Sequence, residues 1–361
     1  MNQDKVKIKL GGVSQTLLFP LWGRAQVSKE YSSLFYDAKA VELVEKILAS
    51  TIDYDFSASD MPFGGIMFNI SRKGNLLPIF GLIALMAKQF DEKIKTYITK
   101  HPHASVVNIG AGLDATFYRV DNGLIHWYDL DLPVAIDVRK QLLPEPNRVT
   151  YIAKSLLDPS WCKDITYTED GVFMIAGGVL QFFEESEIKQ FFSMLADNFP
   201  EGEIVFTAMS RSDVGFRAWM DMFPPEQRDE IRTAWMEALK DWLEKAPQDQ
   251  KDMVNDIIAT LDIPTKPKST EWADLKAWWN EISDAEKGEA LRDLLTPLCG
   301  GVGMWALEDA SEITKWDNRI TLIDRRSLFK NVPRDSLSAD MRRLMDYIDD
   351  SGGLNIFHLR V

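Results

Sequence analysis

The chain has 361 residues, with 45% apolar side chains, 41 basic and 55 acidic groups and a formal charge of −14. The acidic balance argues against phosphate-backbone binding, whose sites concentrate lysine and arginine, and the apolar share supplies a full core rather than a disordered chain. The two cysteines, Cys162 and Cys299, stand outside any CxxC or Cys/His cluster, which excludes a disulfide framework and a structural metal site as expectations and fits a reducing cytosol.

The first residues, "MNQDKVKIKLGG", lack the apolar core of a signal peptide. The run "LLPIFGLIALMA" from Leu76 to Ala87 is too short to span a bilayer and is followed by charges, so it reads as a buried helix. A soluble, cytoplasmic protein with no membrane or nucleic-acid partner is expected. Residues 1–100 read as a helical cap ahead of a sheet. Strand-like runs then begin at Ser105 ("SVVNIG"), Ile125 ("IHWYDL"), Arg148 ("RVTYIAKS"), Gly171 ("GVFMIAGG") and Gly202 ("GEIVFTAM"). Helical segments separate them. "PVAIDVRKQLL" opens with Pro133, a favoured first helical residue, and "SEIKQFFSMLADNF" sets Ile188, Phe191, Phe192 and Leu195 on one face. Such alternation predicts a doubly wound, mostly parallel sheet.

Residues 212–303 change texture. "EQRDEIRTAWMEALKDWLEKA" and "WADLKAWWNEI" are helical patterns, and eight of the eleven tryptophans fall between Trp219 and Trp316. Trp235, Leu239 and Trp242 stand at ordinary helix-core spacing, yet an aromatic insertion at a strand end also suits a substrate lid. Strand returns in "RITLIDRRSLF" from Arg319, then a helix-like "ADMRRLMDYI" and a closing strand "LNIFHLRV". The expected architecture is a Rossmann-like core over 101–211 and 304–361, seven strands in all, with a helical insertion after the fifth.

In "VVNIGAGLDATFYRVDNGLIHWYDLDLP", from Val106 to Pro133, a glycine turn follows the first strand and two carboxylates, Asp129 and Asp131, end the second. "GAGLDA" satisfies GxGxx(G/A), and the carboxylates stand at ribose-binding distance in sequence, so a nucleotide is expected, with a mere turn as the bland alternative. A dinucleotide needs free N–H groups at a helix N-terminus and a full crossover helix. Here Asp114 sits where that helix would begin and "DNG" cuts the segment short, whereas S-adenosyl-L-methionine carries a sulfonium cation and no phosphate. A methyltransferase is therefore favoured over an NAD-dependent oxidoreductase. One of Asp129 and Asp131 is expected to face the ribose, the other solvent or a helix N-terminus, and Asp131, directly before "LP", is chosen for the ribose. Gly177 and Gly178 close the fourth strand where backbone can approach a ligand, or simply make a tight turn.

Together "VVNIGAGLDATFYRV", "WYDLDLP", "IAKSLLDPSW" and "GGVLQFFEE" resemble the leucine carboxyl methyltransferase family, in particular its bacterial branch of polyketide-type O-methyltransferases. "LWGRAQVSKEYSSLFYDAKAVELV" and "GMWALEDASEITKWDNRITLID" fit the same branch. The resemblance implies an α/β, class I methyltransferase-type fold and S-adenosyl-L-methionine as cofactor. By position it implies that Arg24 grips the cofactor carboxylate, that Gly110, Ala111 and Gly112 pass beneath the methionine part, and that Asp131 binds the ribose. Ser155 and Leu156 stand where the family usually has an Asp-Leu pair beside adenine, with Asp158 near enough to compensate. Gly177 replaces a usual glutamate, and Met86 and Ala87 a usual Arg-Thr pair. These departures motivate a second alternative, a non-catalytic cofactor-binding or interaction protein of the same fold.

Methyl transfer needs a base only if the acceptor oxygen starts protonated. His101, His103 and His126 belong at the amino ends of strands, opposite the ligand crevice, and His358 inside the last strand reads as packing. A small-molecule acceptor already ionised, a carboxylate, is favoured over a hydroxyl, with Tyr31 or Tyr36 as bases for the other case and Arg211 as a cation for the carboxylate, or else a solvated loop arginine. No metal site and no catalytic side chain is assigned, and the oligomeric state is left open.

Overall fold

The computed structural model describes residues 17–49, 77–167, 169–210, most of 248–283 with scattered positions between 228 and 290, 305–335, 337–351 and 353–361. In chain order the cap helices are α1 (Leu18–Glu30), α2 (Ala38–Ala49) and α3 (Leu77–Lys100). They lead into β1 (Ser105–Ile109), α4 (Thr116–Val120), β2 (His126–Asp131), α5 (Pro133–Leu142), β3 (Val149–Ala153), β4 (Val172–Ala176), α6 (Glu185–Asn198) and β5 (Glu203–Met209). Helices α7 (Gln248–Thr260) and α8 (Trp272–Glu281) belong to the long excursion before α9 (Ser311–Trp316), β6 (Thr321–Ser327), α10 (Ala339–Ser351) and β7 (Leu354–Arg360). Trp235, Leu239 and Trp242, and Arg211 and Cys299 with them, lie outside the described residues.

The seven strands form one sheet in the order β3-β2-β1-β4-β5-β7-β6. β1 to β5 run parallel, and β7 inserts antiparallel between β5 and β6. The chain reverses direction in strand order beside β1 and β4, which places the crevice of such a sheet at their carboxyl ends. This is the class I methyltransferase arrangement. β1 and β4 are buried along their whole length, as continuous apolar strands covered on both faces must be.

Period-two alternation divides the core. Val107, Ile109 and Met174 face Phe191, Phe192 and Leu195 of α6, while Val106, Phe173 and Ile175 face α3 and α10. The predicted face of α6 is the packed one: Ile188, Phe191, Phe192 and Leu195 are each at most 1% exposed. Its start is fixed by Glu187, whose carboxylate accepts the Glu184 N–H at 2.8 Å. From Leu77 on, the Leu76–Ala87 run belongs to the much longer α3, whose Ala84, Leu85, Phe90 and Ile94 are buried. A smaller cluster joins α1, α2 and α5 through Leu21, Leu43 and Leu142, and holds Leu113 of the glycine turn. Edge strand β6 is bulged between Leu322 and Asp324, a distortion that discourages pairing with another chain. Among the described residues no helix is long and apolar enough to cross a membrane.

Candidate functional site

β1 delivers its turn to the carboxyl edge of the sheet beside β2. Gly110 and Gly112 adopt φ of +68° and +49°, the left-handed region that side chains disfavour. A Cβ at Gly110 would stand 2.6 Å from Val179 Cγ2, and one at Gly112 2.9 Å from Leu17 Cδ2. Both sterics and backbone therefore require glycine. The N–H groups of Gly110 and Ala111 donate to Leu130 O at 2.8 and 3.2 Å, which ties the turn to the end of β2. Its later carbonyls are held by guanidinium groups: Arg139 donates to Gly112 O at 2.9 Å and Arg24 to Leu113 O at 3.0 Å.

Asp131 faces this turn. One carboxylate oxygen accepts the Gly112 N–H at 2.7 Å and the other accepts the Leu132 N–H at 2.7 Å. Burial raises its pKa against those two donors. Each oxygen keeps lone-pair capacity for a further donor. Asp129 departs from expectation. It is fully buried and meets neither solvent nor a helix N-terminus: Arg139 pairs with it at 2.6 Å, while Asn108 and Trp127 donate at 3.1 and 2.8 Å. Residues two apart on a strand share a face, so both carboxylates point to the same side and Asp129 lies behind Asp131. It acts on the turn only through Arg139.

A second ionic cluster lies under the turn. Arg24, 5% exposed, donates to Asp37 at 3.2 Å and lies 3.8 Å from Asp114. Arg119 pairs with Asp37 at 2.6 Å and Asp91 at 2.8 Å, and stands 3.7 Å from Asp114. Burial pushes the Asp114 carboxyl up, but Arg24 and Arg119 outweigh it and hold the pKa at about 2. Asp114 also accepts the Thr116 N–H at 3.3 Å, at the start of the five-residue α4. An ionised carboxylate thus takes a donor that a pyrophosphate would require, on a helix too short for a dinucleotide crossover.

On the far side, Leu156 is buried and Ser155 accepts the Leu157 N–H at 3.2 Å just beyond β3. Asp158 is exposed and caps the following 3-10 turn by accepting the Ser160 N–H at 2.9 Å. At the end of β4, a Cβ on Gly177 would meet Phe90 Cε2 at 2.6 Å, so Phe90 fills the space where the family glutamate would start. Met86 approaches Gly178, whose N–H donates to Thr207 Oγ1 at 3.0 Å. The histidines stay at the opposite edge. His101 stacks on Tyr97 and His126 on Tyr167, while His358 reaches Glu203 at 2.7 Å, an ion-pair geometry beyond simple packing. Tyr36 is exposed and Tyr31 half-buried near the end of α1.

Arg139, Asn108, Arg119 and Asp37 were not singled out from the sequence. Arg139 had a readable signal: it falls on the apolar face of α5 with Ala135, Ile136 and Leu142, where a charge needs a buried partner.

The sequence pattern of the leucine carboxyl methyltransferase family matches residues 18–196. The tetracenomycin polyketide synthesis O-methyltransferase TcmP of Streptomyces glaucescens is 26% identical over 203 residues, covering 56% of this chain and 68% of that protein. The S-adenosyl-L-methionine-dependent methyltransferase dpfgK of Gibberella zeae is 24% identical over 218 residues, covering 57% and 69% respectively. Among solved structures, a methyltransferase candidate from Thermobifida fusca YX aligns at TM-score 0.45 with 10% identity, over 82% of this chain and 86% of that one. The N-methyltransferase NodS from Bradyrhizobium japonicum WM9, in complex with S-adenosyl-l-homocysteine, aligns at 0.33 with 10% identity, over 90% and 98%. The matched span runs from the start of α1 into α6 and includes the glycine turn, Asp131 and Arg24, so over that span the chain is similar to the leucine carboxyl methyltransferase family.

Proposed function

We propose that this chain is an S-adenosylmethionine-dependent O-methyltransferase whose acceptor is a small molecule, methylated at a carboxylate. The observation that carries the cofactor reading is Asp131, a desolvated carboxylate held 2.7 Å from the Gly112 N–H with lone pairs left for ribose hydroxyls. Gly110, Ala111 and Gly112 pass beneath the methionine part, and Gly177 lets β4 approach it. Ser155 and Leu156 flank adenine. Arg24 serves the amino-acid carboxylate, although Asp37 and Asp114 already share its charge and Met86 adds no second cation. Affinity therefore rests mainly on the nucleoside end.

Bound adenosylmethionine supplies a methyl group on a positive sulfur, open to in-line attack by an acceptor oxygen. What the chain contributes is position and exclusion of water. The four histidines lie at the amino edge of the sheet, away from the turn, which favours an acceptor that needs no base. Transfer of labelled methyl groups to a panel of carboxylic acids and phenols tests this. For acids, the rate stays flat from about pH 6 to 9, well above a carboxylate pKa of about 4. A steep rise through neutral pH, or transfer to phenols alone, contradicts it.

A non-catalytic cofactor binder is the second reading, favoured by Phe90 against Gly177 and by Met86 in place of an arginine. Adenosylmethionine binding without transfer to any member of the panel selects it. For the insertion over 212–303 a lid is the reading weighed against core packing, and loss of folding on deletion would favour the latter. If it is a lid, its deletion abolishes turnover and spares cofactor binding.

A further inference from the structure

A cavity of about 430 Å³ opens beside β6 and β7, lined by Arg325, Arg326, Ser327, Lys330, Asp349 and Asn355. We propose that it is an anion-binding subsite, taking a carboxylate or phosphate group of the methyl acceptor remote from the reacting oxygen. The anion site stands on its own geometry, and only its role in the acceptor rests on the function proposed above.

Charge is the first argument. Arg326 donates to Gln89 Oε1 at 2.6 Å, a neutral amide, and its Nε is buried without a hydrogen-bond partner. Among the described residues no carboxylate forms an ion pair with it. The nearby acids are committed elsewhere: Asp324 pairs with Lys93 at 2.6 Å, and Asp349 is held by Arg334 and Ser327. Arg325 has a loose contact with Asp309 at 3.5 Å and lies over the Phe357 ring, and Lys330 is exposed. Asp324 acts on Arg326 electrostatically without a direct ion pair, and the buried Nε that lacks a hydrogen-bond partner is the group an anion would complete.

Position is the second argument. Arg326 pairs in register with Ile356, and Ile356 with Thr207. Thr207 Oγ1 in turn accepts the Gly178 N–H, so Arg326 stands level with the end of β4 on the carboxyl edge. One turn of α3 touches both places through its side chains: Met86 approaches Gly178, Phe90 meets Gly177 and Gln89 holds Arg326. Three strand spacings separate β4 from β6 in the sheet order, roughly 14 Å. An acceptor with a second anionic end about that far from its reacting oxygen is the class that the proposed subsite would select.

Calorimetric titration of the full chain with inorganic phosphate, decanedioate and decanoate tests the subsite. Decanedioate is expected to bind saturably, to compete with phosphate and to exceed decanoate. Arg326→Gln should weaken it by at least about tenfold, the loss of a charged hydrogen bond, and the exposed Lys330→Ala severalfold. Equal binding of the two organic acids, or binding unchanged in both variants, overturns the proposal. Adenosylmethionine affinity should be the same in wild type and Arg326→Gln. A chain that binds the dianion through Arg326 but never binds adenosylmethionine refutes the proposed function and leaves the anion site standing.

Discussion

Replacing Arg139 by methionine separates the buried ion pair from the turn it supports. Arg139 is 2% exposed and Asp129 0%, with 2.6 Å between Nη2 and the carboxylate. In the variant Asp129 keeps only Asn108 and Trp127 as donors. Removing one partner of a buried pair costs about 3–5 kcal/mol, because the other charge is left uncompensated. The Gly112 carbonyl loses its 2.9 Å donor as well. Burial already raises the Asp129 pKa despite Arg139, and the substitution raises it further. A carboxyl group with a raised folded-state pKa favours the fold in its protonated form. The deficit is therefore smallest near pH 4, the unfolded value, and grows as pH rises through the folded pKa. Urea unfolding followed by tryptophan fluorescence should show it at pH 7 and less at pH 5. Adding Asp129→Asn should recover most of the loss, since no charge remains buried. An Arg139→Met protein as stable as wild type at pH 7, or no recovery in the double variant, refutes the reasoning.

Gly110→Ala forces a side chain into a backbone with φ of +68° and to 2.6 Å from Val179 Cγ2, and should cost about 1–3 kcal/mol. Adding Val179→Ala should restore the steric part only, which thermal unfolding of the single and double variants can resolve. Asp114, with its pKa held at about 2, stabilises the fold above its unfolded pKa near 4 and loses that contribution as pH falls from about 4 towards 2. Asp114→Asn should flatten the acid limb of the urea midpoint in that window; an unchanged limb counts against the Arg24–Asp114–Arg119 cluster.

The parallel part of the sheet is legible because buried parallel strands are short apolar runs between turn signals, and all seven strands begin within two residues of the start of their runs. The place of β7 between β5 and β6 is not, since antiparallel insertion depends on pairing partners far apart in the chain. Asp131 and the glycine turn were readable from spacing. The expectation for Asp129 fails because positions two apart on a strand share a face, so it cannot point away from the side that Asp131 takes. The environment of Arg24 is hidden in the sequence: Asp37 and Asp114 reach it from different segments, and nothing local marks their convergence. The pair Arg325-Arg326 gave no hint of a cavity, because its meaning depends on Gln89, more than two hundred residues earlier.

The most direct measurement is calorimetric titration of the wild-type chain and Asp131→Asn with adenosylmethionine, adenosylhomocysteine and NAD. Saturable heat with the first two and none with NAD is expected, with affinity at least about tenfold lower in an Asp131→Asn protein still folded by circular dichroism. Binding of NAD alone, or an adenosylmethionine affinity indifferent to Asp131, contradicts the assignment of this turn as the cofactor cradle.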